Sequence, residues 1–410
     1  MRRVVVTGMG CISPLGIGVD PSWDRLHKLE NTVEVCDEIN NYEGVHSHLV
    51  SRIKNFEVPS YYSRKVTRST GPVSIMALMA TREALEDSLL LEREDILGSG
   101  RTGVAYGSSF GSIQPVADFI SVLNKHKLDR LDSSTYIKIM PHTTAVNISL
   151  YFKTKGRLIP TGTACTSGSL AVGYAYEAIK NGMQDVMIAG GGEEFSVVQV
   201  AIFDTLYATS IKNDTPSLTP SPYDKDRDGL VIGEGAASLI LEEYEHAKLR
   251  GAPILAEVVG FYTNTDGTHV TQPNSTTMAM CMREAIRSSG INFSDVGYIN
   301  SHGTGTTHGD SCECLAVKSV FGDHTPPMSS LKSYTGHTLG ACGALESIFC
   351  IRMMNENWYH PTLNLNTPDE DCKGIDHIQF KPREFESSYV MNNNFAFGGI
   401  NTSLIFKRIG

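Results

Sequence analysis

Short apolar runs, each closing on a glycine- or serine-rich turn, alternate along this chain with longer segments whose apolar positions fall at helical spacing. Val4-Val5-Val6 runs into Thr7-Gly8-Met9-Gly10, so a buried strand is expected almost at the first residue. Residues 21–29 can start a helix, and residues 33–59 read as irregular, polar surface. Val73, Met76, Ala77, Ala80, Ala84 and Leu85 predict a packed helix over 73–85. A strand over 102–106 ends in Gly107-Ser108-Ser109-Phe110-Gly111-Ser112. A helix of small and apolar residues follows over 140–152, and a strand over 185–189 closes on Gly190-Gly191-Gly192-Glu193-Glu194. Residues 216–229, rich in Pro, Ser, Thr and Asp, form an ordered loop or cap that leads to a strand over 236–241 and an exposed helix over 242–250.

The pattern is centred on residues 159–182. Leu158 and Ile159 lead through Pro160-Thr161-Gly162 into Cys165, after which Leu170, Ala171, Tyr174, Ala178 and Ile179 recur at helical spacing up to Asn181-Gly182. This predicts strand, tight turn and helix, with Cys165 at the helix start, where free N–H groups and the helix dipole favour a thiolate. The stretch by itself accommodates two readings, a nucleophile or an inert thiol on a core helix.

Gly251-Ala252-Pro253 reads as a junction dividing residues 1–250 from 251–410. The second part repeats the plan of the first. Strands are expected over 254–259, 297–300 and 404–406, and helices over 278–288 and 339–354. Strands alternating with helices point to an α/β protein with mainly parallel sheets covered on both faces.

Composition changes this picture little. The 410 residues are 41% hydrophobic and 20% charged, with a formal net charge of −10, which argues against nucleic acid as a partner. Two basic clusters stand against that charge: Arg64, Lys65 and Arg68, and, in an expected polar loop, Lys125, Lys127 and Arg130. They are either solvated faces or a docking patch for an acidic partner. Nine scattered cysteines fit a reduced, cytoplasmic protein better than a disulfide framework. The N-terminus has no signal-peptide layout, and no apolar run is long enough for membrane insertion.

The residues suited to chemistry sit at strand-to-loop junctions or helix starts: Cys165, His302 in Ser-His-Gly-Thr-Gly-Thr, and Lys332 and His337 in Lys-Ser-Tyr-Thr-Gly-His. A thiol nucleophile needs thiolate character and donors for the charge that develops on its substrate, and two histidines and a lysine supply them. No metal site is expected. The Asp-rich run 224–228 lacks the liganding pattern of a calcium loop, and Cys312-x-Cys314 near His308 puts its thiols on different helix faces.

Thr163-Ala164-Cys165, His302-Gly303-Thr304-Gly305-Thr306, Lys332 to His337 and Asn394-Phe395-Ala396-Phe397-Gly398-Gly399 together resemble the motifs of elongating β-ketoacyl-(acyl carrier protein) synthases, as does the segment 223–235. The resemblance runs the length of the chain. It implies the thiolase fold, a duplicated five-layered α/β/α/β/α core, and a homodimer, with a heterodimer as alternative. It further implies decarboxylative Claisen condensation of malonyl carrier protein with an acyl chain on Cys165, without a cofactor beyond the carrier's phosphopantetheine. His302 and His337 would stabilise the enolate, and the N–H groups of Cys165 and Phe397 the tetrahedral oxyanion. Lys332, paired with Glu346, would set the site's potential, and Asp310 and Glu313 would support it. Thr304, Thr306 and Thr271 would hold phosphopantetheine. Phe397 would gate an acyl pocket lined by Phe395 and Phe110, whose ring would shorten the pocket or suit it to flat chains. Lys65, Arg68, Lys125 and Lys127 would dock the acidic carrier. Residues 331–346 and 392–406 are most similar to ketosynthases of aryl-polyene-type clusters. A degradative thiolase would need a second cysteine near Ile400, and a chain-initiating synthase an Asn in place of His337. The non-enzyme alternative is a partner subunit resembling a chain-length factor, which would lack Cys165.

Overall fold

The computed structural model describes residues 1–128 and 131–410. Ten principal strands are β1 (Val4–Ser13), β2 (Thr102–Gly107), β3 (Leu158–Pro160), β4 (Val186–Glu193), β5 (Gly235–Glu243), β6 (Ala256–Thr265), β7 (Val296–Asn300), β8 (Met328–Ser329), β9 (Tyr389–Ala396) and β10 (Ile400–Lys407). Their spatial order is β3-β2-β4-β5-β1 in the first half and β8-β7-β9-β10-β6 in the second. In each half the second strand runs parallel to the third and fourth, and the fourth, fifth and first are antiparallel neighbours. The halves are therefore one topology used twice. They meet along a seam where Val4–Val6 pairs antiparallel with Ala256–Val258.

The principal helices are α1 (Pro72–Asp87), α2 (Gln114–Lys125), α3 (Thr143–Phe152), α4 (Ser167–Lys180), α5 (Ser275–Ser289), α6 (Thr307–Phe321) and α7 (Cys342–Glu356). Helices α1 and α3 cover the outer face of the first sheet, and α5, backed by α6, that of the second. Between the sheets lie α4 and α7, packed on one another and on strands of both halves. The expected five layers and the duplication are thus both present.

The inner pair explains its own sequence. A helix enclosed on all sides can afford only small side chains where it crosses a neighbour. A Cβ on Gly168 would lie 2.8 Å from the backbone of Ala344, and one on Gly343 2.7 Å from that of Ser169. Outward-facing α5 is instead amphipathic, capped by the Asn274 side chain and ended by Gly290 at φ 74°.

Three expectations need correction. The sheets are mixed rather than mainly parallel, with two parallel and two antiparallel strand pairs in each half. Residues 33–59 hold strands Val33–Val35 and Leu49–Ser51, which form a small sheet with Ile232–Gly233. Their scattered polar residues masked three-residue strands that pair with each other and, for Leu49–Ser51, with a strand distant in sequence. Lys125 lies not in a polar loop but at the end of α2, whose Phe119, Ile120 and Leu123 are exposed. Arg130 lies outside the described residues. No helix among those described is long and apolar enough to cross a membrane.

Candidate active site

Strand β3 ends against a short turn, Ala164–Thr166, that feeds directly into α4. Hydroxyls hold this turn: Thr163 N–H donates to Ser167 Oγ (3.0 Å), which donates to Ala164 O (2.7 Å), and Thr161 Oγ1 donates to Ser167 O (2.8 Å). Ala164 takes the left-handed conformation, φ 50°, and Cys165 is 4% exposed at the head of the helix. Burial pushes its thiol up to about 11, while Lys332 and the N–H groups of Phe397 and Cys165 itself pull the other way. Both amides thus lie near the thiol, where they are candidates to hold an oxyanion formed on a carbonyl carbon bonded to that sulfur.

His302 sits in the loop that follows β7, and the first turns of α6 fix that loop. Asp310 and Glu313, three residues apart on one helix face, turn both carboxylates toward it. Glu313 accepts from the N–H groups of His302 (2.8 Å) and Gly303 (2.8 Å), and Asp310 from those of Thr304 (3.0 Å) and Gly305 (3.2 Å). Burial pushes Asp310 up to about 7.

His337 is anchored by the small sheet. Its N–H donates to Val231 O (2.7 Å), and Gly233 N–H donates to its carbonyl (2.9 Å). The stretch expected to be irregular surface thus backs a candidate catalytic residue. His337 Nε2 lies 2.9 Å from Cys165 Sγ, and the imidazoles of His302 and His337 meet edge to face at 5.2 Å. Burial, and then the Lys332 charge, lowers both histidines well below their ordinary range, so both are neutral. Lys332 lies 2.5 Å from Glu346, which also accepts from Asn394 Nδ2 (2.7 Å), and all three are buried. Burial works against the ammonium, but Glu346 and neighbouring groups outweigh it and hold Lys332 protonated.

Among the described residues, one cluster is close enough to hold a metal ion, and it is this same trio, with one ligand atom each of Cys165, His302 and His337 within 4.8 Å of one another. A neighbouring ammonium opposes a cation there. His308 is exposed while Cys314 is buried with Cys372 in a separate core, so that group does not assemble.

A cavity of about 600 Å³ opens onto Cys165, His302 and His337. Thr304 and Thr306, whose hydroxyls are 2.9 Å apart, line it, with Thr271 exposed on its rim. Phe395 lies edge-on to His302 at 6.2 Å. Phe397 stacks at 5.1 Å on Phe203, which residue patterns did not single out because it looks like any apolar position of the helix Val197–Asp204. Lys65, Arg68, Lys125 and Lys127 are all exposed and away from the cavity lining.

Phe110 departs from expectation. It is 38% exposed and does not line this cavity within the single chain. Its loop is pulled elsewhere: Ser109 donates N–H (2.9 Å) and Oγ (2.5 Å) to Glu193, and Ser112 Oγ (2.7 Å) and Ile113 N–H (2.8 Å) bind Glu194. Local pattern did not reveal that these two glutamates serve as buried staples.

Comparison with known proteins agrees with this geometry. The profile of the β-ketoacyl synthase N-terminal domain matches residues 1–247, and that of the C-terminal domain residues 255–366. The chain is 37% identical to 3-oxoacyl-[acyl-carrier-protein] synthase 2 of Vibrio cholerae, over 100% of this chain and 99% of that one. Among solved structures, a β-ketoacyl synthase from Burkholderia phymatum superposes with a TM-score of 0.98 at 51% identity, both chains fully covered. The ishigamide ketosynthase/chain length factor gives 0.89 at 30%, again over both full chains. A Cys-His-His cavity on a duplicated α/β scaffold and these full-length similarities lead to one conclusion: the chain belongs to the β-ketoacyl synthase family.

Proposed function

We propose that this chain condenses malonyl-carrier protein with an acyl group held on Cys165, extending the chain as a β-ketoacyl-carrier thioester. The observation that carries this reading is the meeting of one buried thiol with two buried imidazoles, their ligand atoms within 4.8 Å of one another. In the first step the Cys165 sulfur attacks the acyl-carrier thioester and the carrier thiol leaves. Malonyl-carrier protein then loses carbon dioxide. The electron pair of the broken C–C bond moves onto the thioester oxygen, which accepts from Nε2–H of His302 and His337. Finally the enolate carbon attacks the Cys165 thioester, the N–H groups of Cys165 and Phe397 hold the tetrahedral oxyanion, and collapse expels the thiolate. Lys332 carries positive charge beside these steps without transferring a proton, and Thr304, Thr306 and Thr271 offer hydroxyls to the carrier's phosphopantetheine. No resident cofactor is called for, since the substrates bring their own activating thioester.

The carrier protein is the natural partner for a chain with exposed Lys65, Arg68, Lys125 and Lys127. A homodimer is favoured by the free outer edge of β3 and by the exposed Phe110, Phe119, Ile120, Leu123 and Leu158 on neighbouring elements. Such an interface would also cover Phe110 and bring it to the end of an acyl pocket. Unpaired cysteines fit the cytoplasm. The intact Cys-His-His set disfavours a purely non-catalytic subunit, whereas pairing with a chain-length-factor-like partner remains the second reading, prompted by the ketosynthase/chain length factor neighbour.

Single-turnover acylation and condensation with saturated, polyenoyl and aryl carrier thioesters test this. Cys165→Ala is expected to lose both, and His302→Ala and His337→Ala to lose decarboxylation while still accepting an acyl group. Absence of carbon–carbon bond formation with every primer would reject the enzyme, and the preferred primer decides between a fatty-acid and an aryl-polyene-type pathway.

A further inference from the structure

The segment 223–229 takes no part in the chemistry above, yet it stands directly behind it. Four consecutive backbone N–H groups, from His302 to Gly305, are held by the Glu313 and Asp310 carboxylates, and Tyr223 bonds to both of them. Its N–H donates to Asp310 Oδ2 at 2.8 Å, and its phenol donates to Glu313 Oε2 at 2.8 Å. The ring is fully buried against His377 at 4.8 Å, on a backbone in the left-handed region, φ 67°. Arg227 ties the segment down, donating to the carbonyls of Thr306 (3.3 Å) and Thr307 (2.9 Å) and to Ser311 Oγ (3.0 Å). A Cβ on Gly303 would lie 2.7 Å from the Tyr223 oxygen, so phenol and glycine turn are fitted to each other.

We propose that Tyr223 is a positioning residue for the malonyl half-reaction, fixing Glu313 and through it the place from which His302 donates to the enolate oxygen. The inference rests on the assignment of His302 to that oxygen. The loop has little stiffness of its own, with Gly303 at φ 27° and Gly305 at φ 85°. Its shape is imposed by the carboxylates, and Glu313 holds its own position through three donors, of which the phenol is the one from outside the loop. Donors to a developing oxyanion act through sub-ångström preorganisation, so a loosened Glu313 weakens decarboxylation. Acylation of Cys165 does not use His302 and is spared.

Tyr223→Phe keeps the ring on His377 and the backbone bond to Asp310 while removing only the phenol donor. We expect kcat for malonyl decarboxylation to fall about tenfold, with KM for malonyl-carrier protein and the Cys165 acylation rate within about twofold of wild type. Glu313→Gln, which replaces an acceptor oxygen by a donor, is expected to show the same split more strongly. Equal loss of both half-reactions in Tyr223→Phe, or wild-type decarboxylation by it while His302→Ala fails, overturns the role of Tyr223. Normal decarboxylation by His302→Ala would instead overturn the His302 assignment and this inference with it.

Discussion

The two halves of this molecule make the same turn at the same place and use it differently. After the third strand of the first half, the left-handed residue Ala164 (φ 50°) opens a short turn that places Cys165 at the head of α4. After the third strand of the second half, Leu339 (φ 46°) opens the equivalent turn at the head of α7, and Gly340 stands where the cysteine would be. No side chain fits there: a Cβ on Gly340 would lie 2.8 Å from both Glu193 Oε2 and Ser109 N. The loops after the second strands diverge likewise. In the first half it carries Phe110, and in the second half His302. At the ends of the fourth strands, the first half supplies the buried carboxylates Glu193 and Glu194, and the second supplies Phe397, stacked on Phe203. One scaffold thus presents a thiol from one copy and two imidazoles from the other, meeting within 4.8 Å. In the first copy, Glu193 and Glu194 bind the loop that follows the second strand.

The strongest way to break this comparison is to remove the side chain that distinguishes the turns. Cys165→Ala is expected to lower condensation by about four orders of magnitude with little change in melting temperature, read by steady-state kinetics and calorimetry. Filling the other turn should do the opposite. Gly340→Ala is expected to destabilise the fold by about 2–4 kcal/mol, seen as a lower denaturant midpoint, because backbone as well as a side chain opposes the new methyl. A variant as stable as wild type would mean that the turns are interchangeable.

A smaller effect is expected where Phe203 meets Phe397. Phe203→Ala removes the ring on which Phe397 stacks and is expected to reduce discrimination between primers about fivefold, measured as the ratio of their kcat/KM values. The Glu193 staple has a pH signature. Burial raises its carboxyl from 4.5 to about 7, so the folded state holds a proton that the unfolded chain has released over that interval. Its contribution to stability is therefore present below about pH 4.5 and lost as pH rises through about 7. Glu193→Gln should flatten that part of the stability–pH curve, and an unchanged slope would reject the buried carboxyl as its source. Smallest of all, Ala164→Gly relieves a left-handed alanine and is expected to change stability by less than about 1 kcal/mol, readable by equilibrium unfolding.

Much was legible in sequence because local chemistry decides it. A β-branched run before a glycine turn makes a buried strand wherever it falls, and a small-residue helix after Cys165 can only sit between close neighbours. The motifs around Cys165, His302, Lys332 and His337 were visible as unusual pairings of reactive residues with glycine and threonine. Residues 33–59 and α2 were not legible in the same way. The first combines a local pairing of Val33–Val35 with Leu49–Ser51 and one with Ile232–Gly233 about 180 positions away, and the second leaves Phe119, Ile120 and Leu123 exposed.

The amino-acid sequence on its own determined the α/β class, the repeated plan of the two halves and the identity of the reactive groups, since each follows from periodicity or from side-chain chemistry within a few residues. Tertiary structure alone decided which of them meet. That Cys165 lies 2.9 Å from His337, that Phe110 turns away from the cavity, and that Tyr223 bridges two carboxylates behind His302 are outcomes of long-range packing. Distances between residues about ninety or more positions apart are set by how two sheets close on one helix pair, and no local pattern encodes that closure.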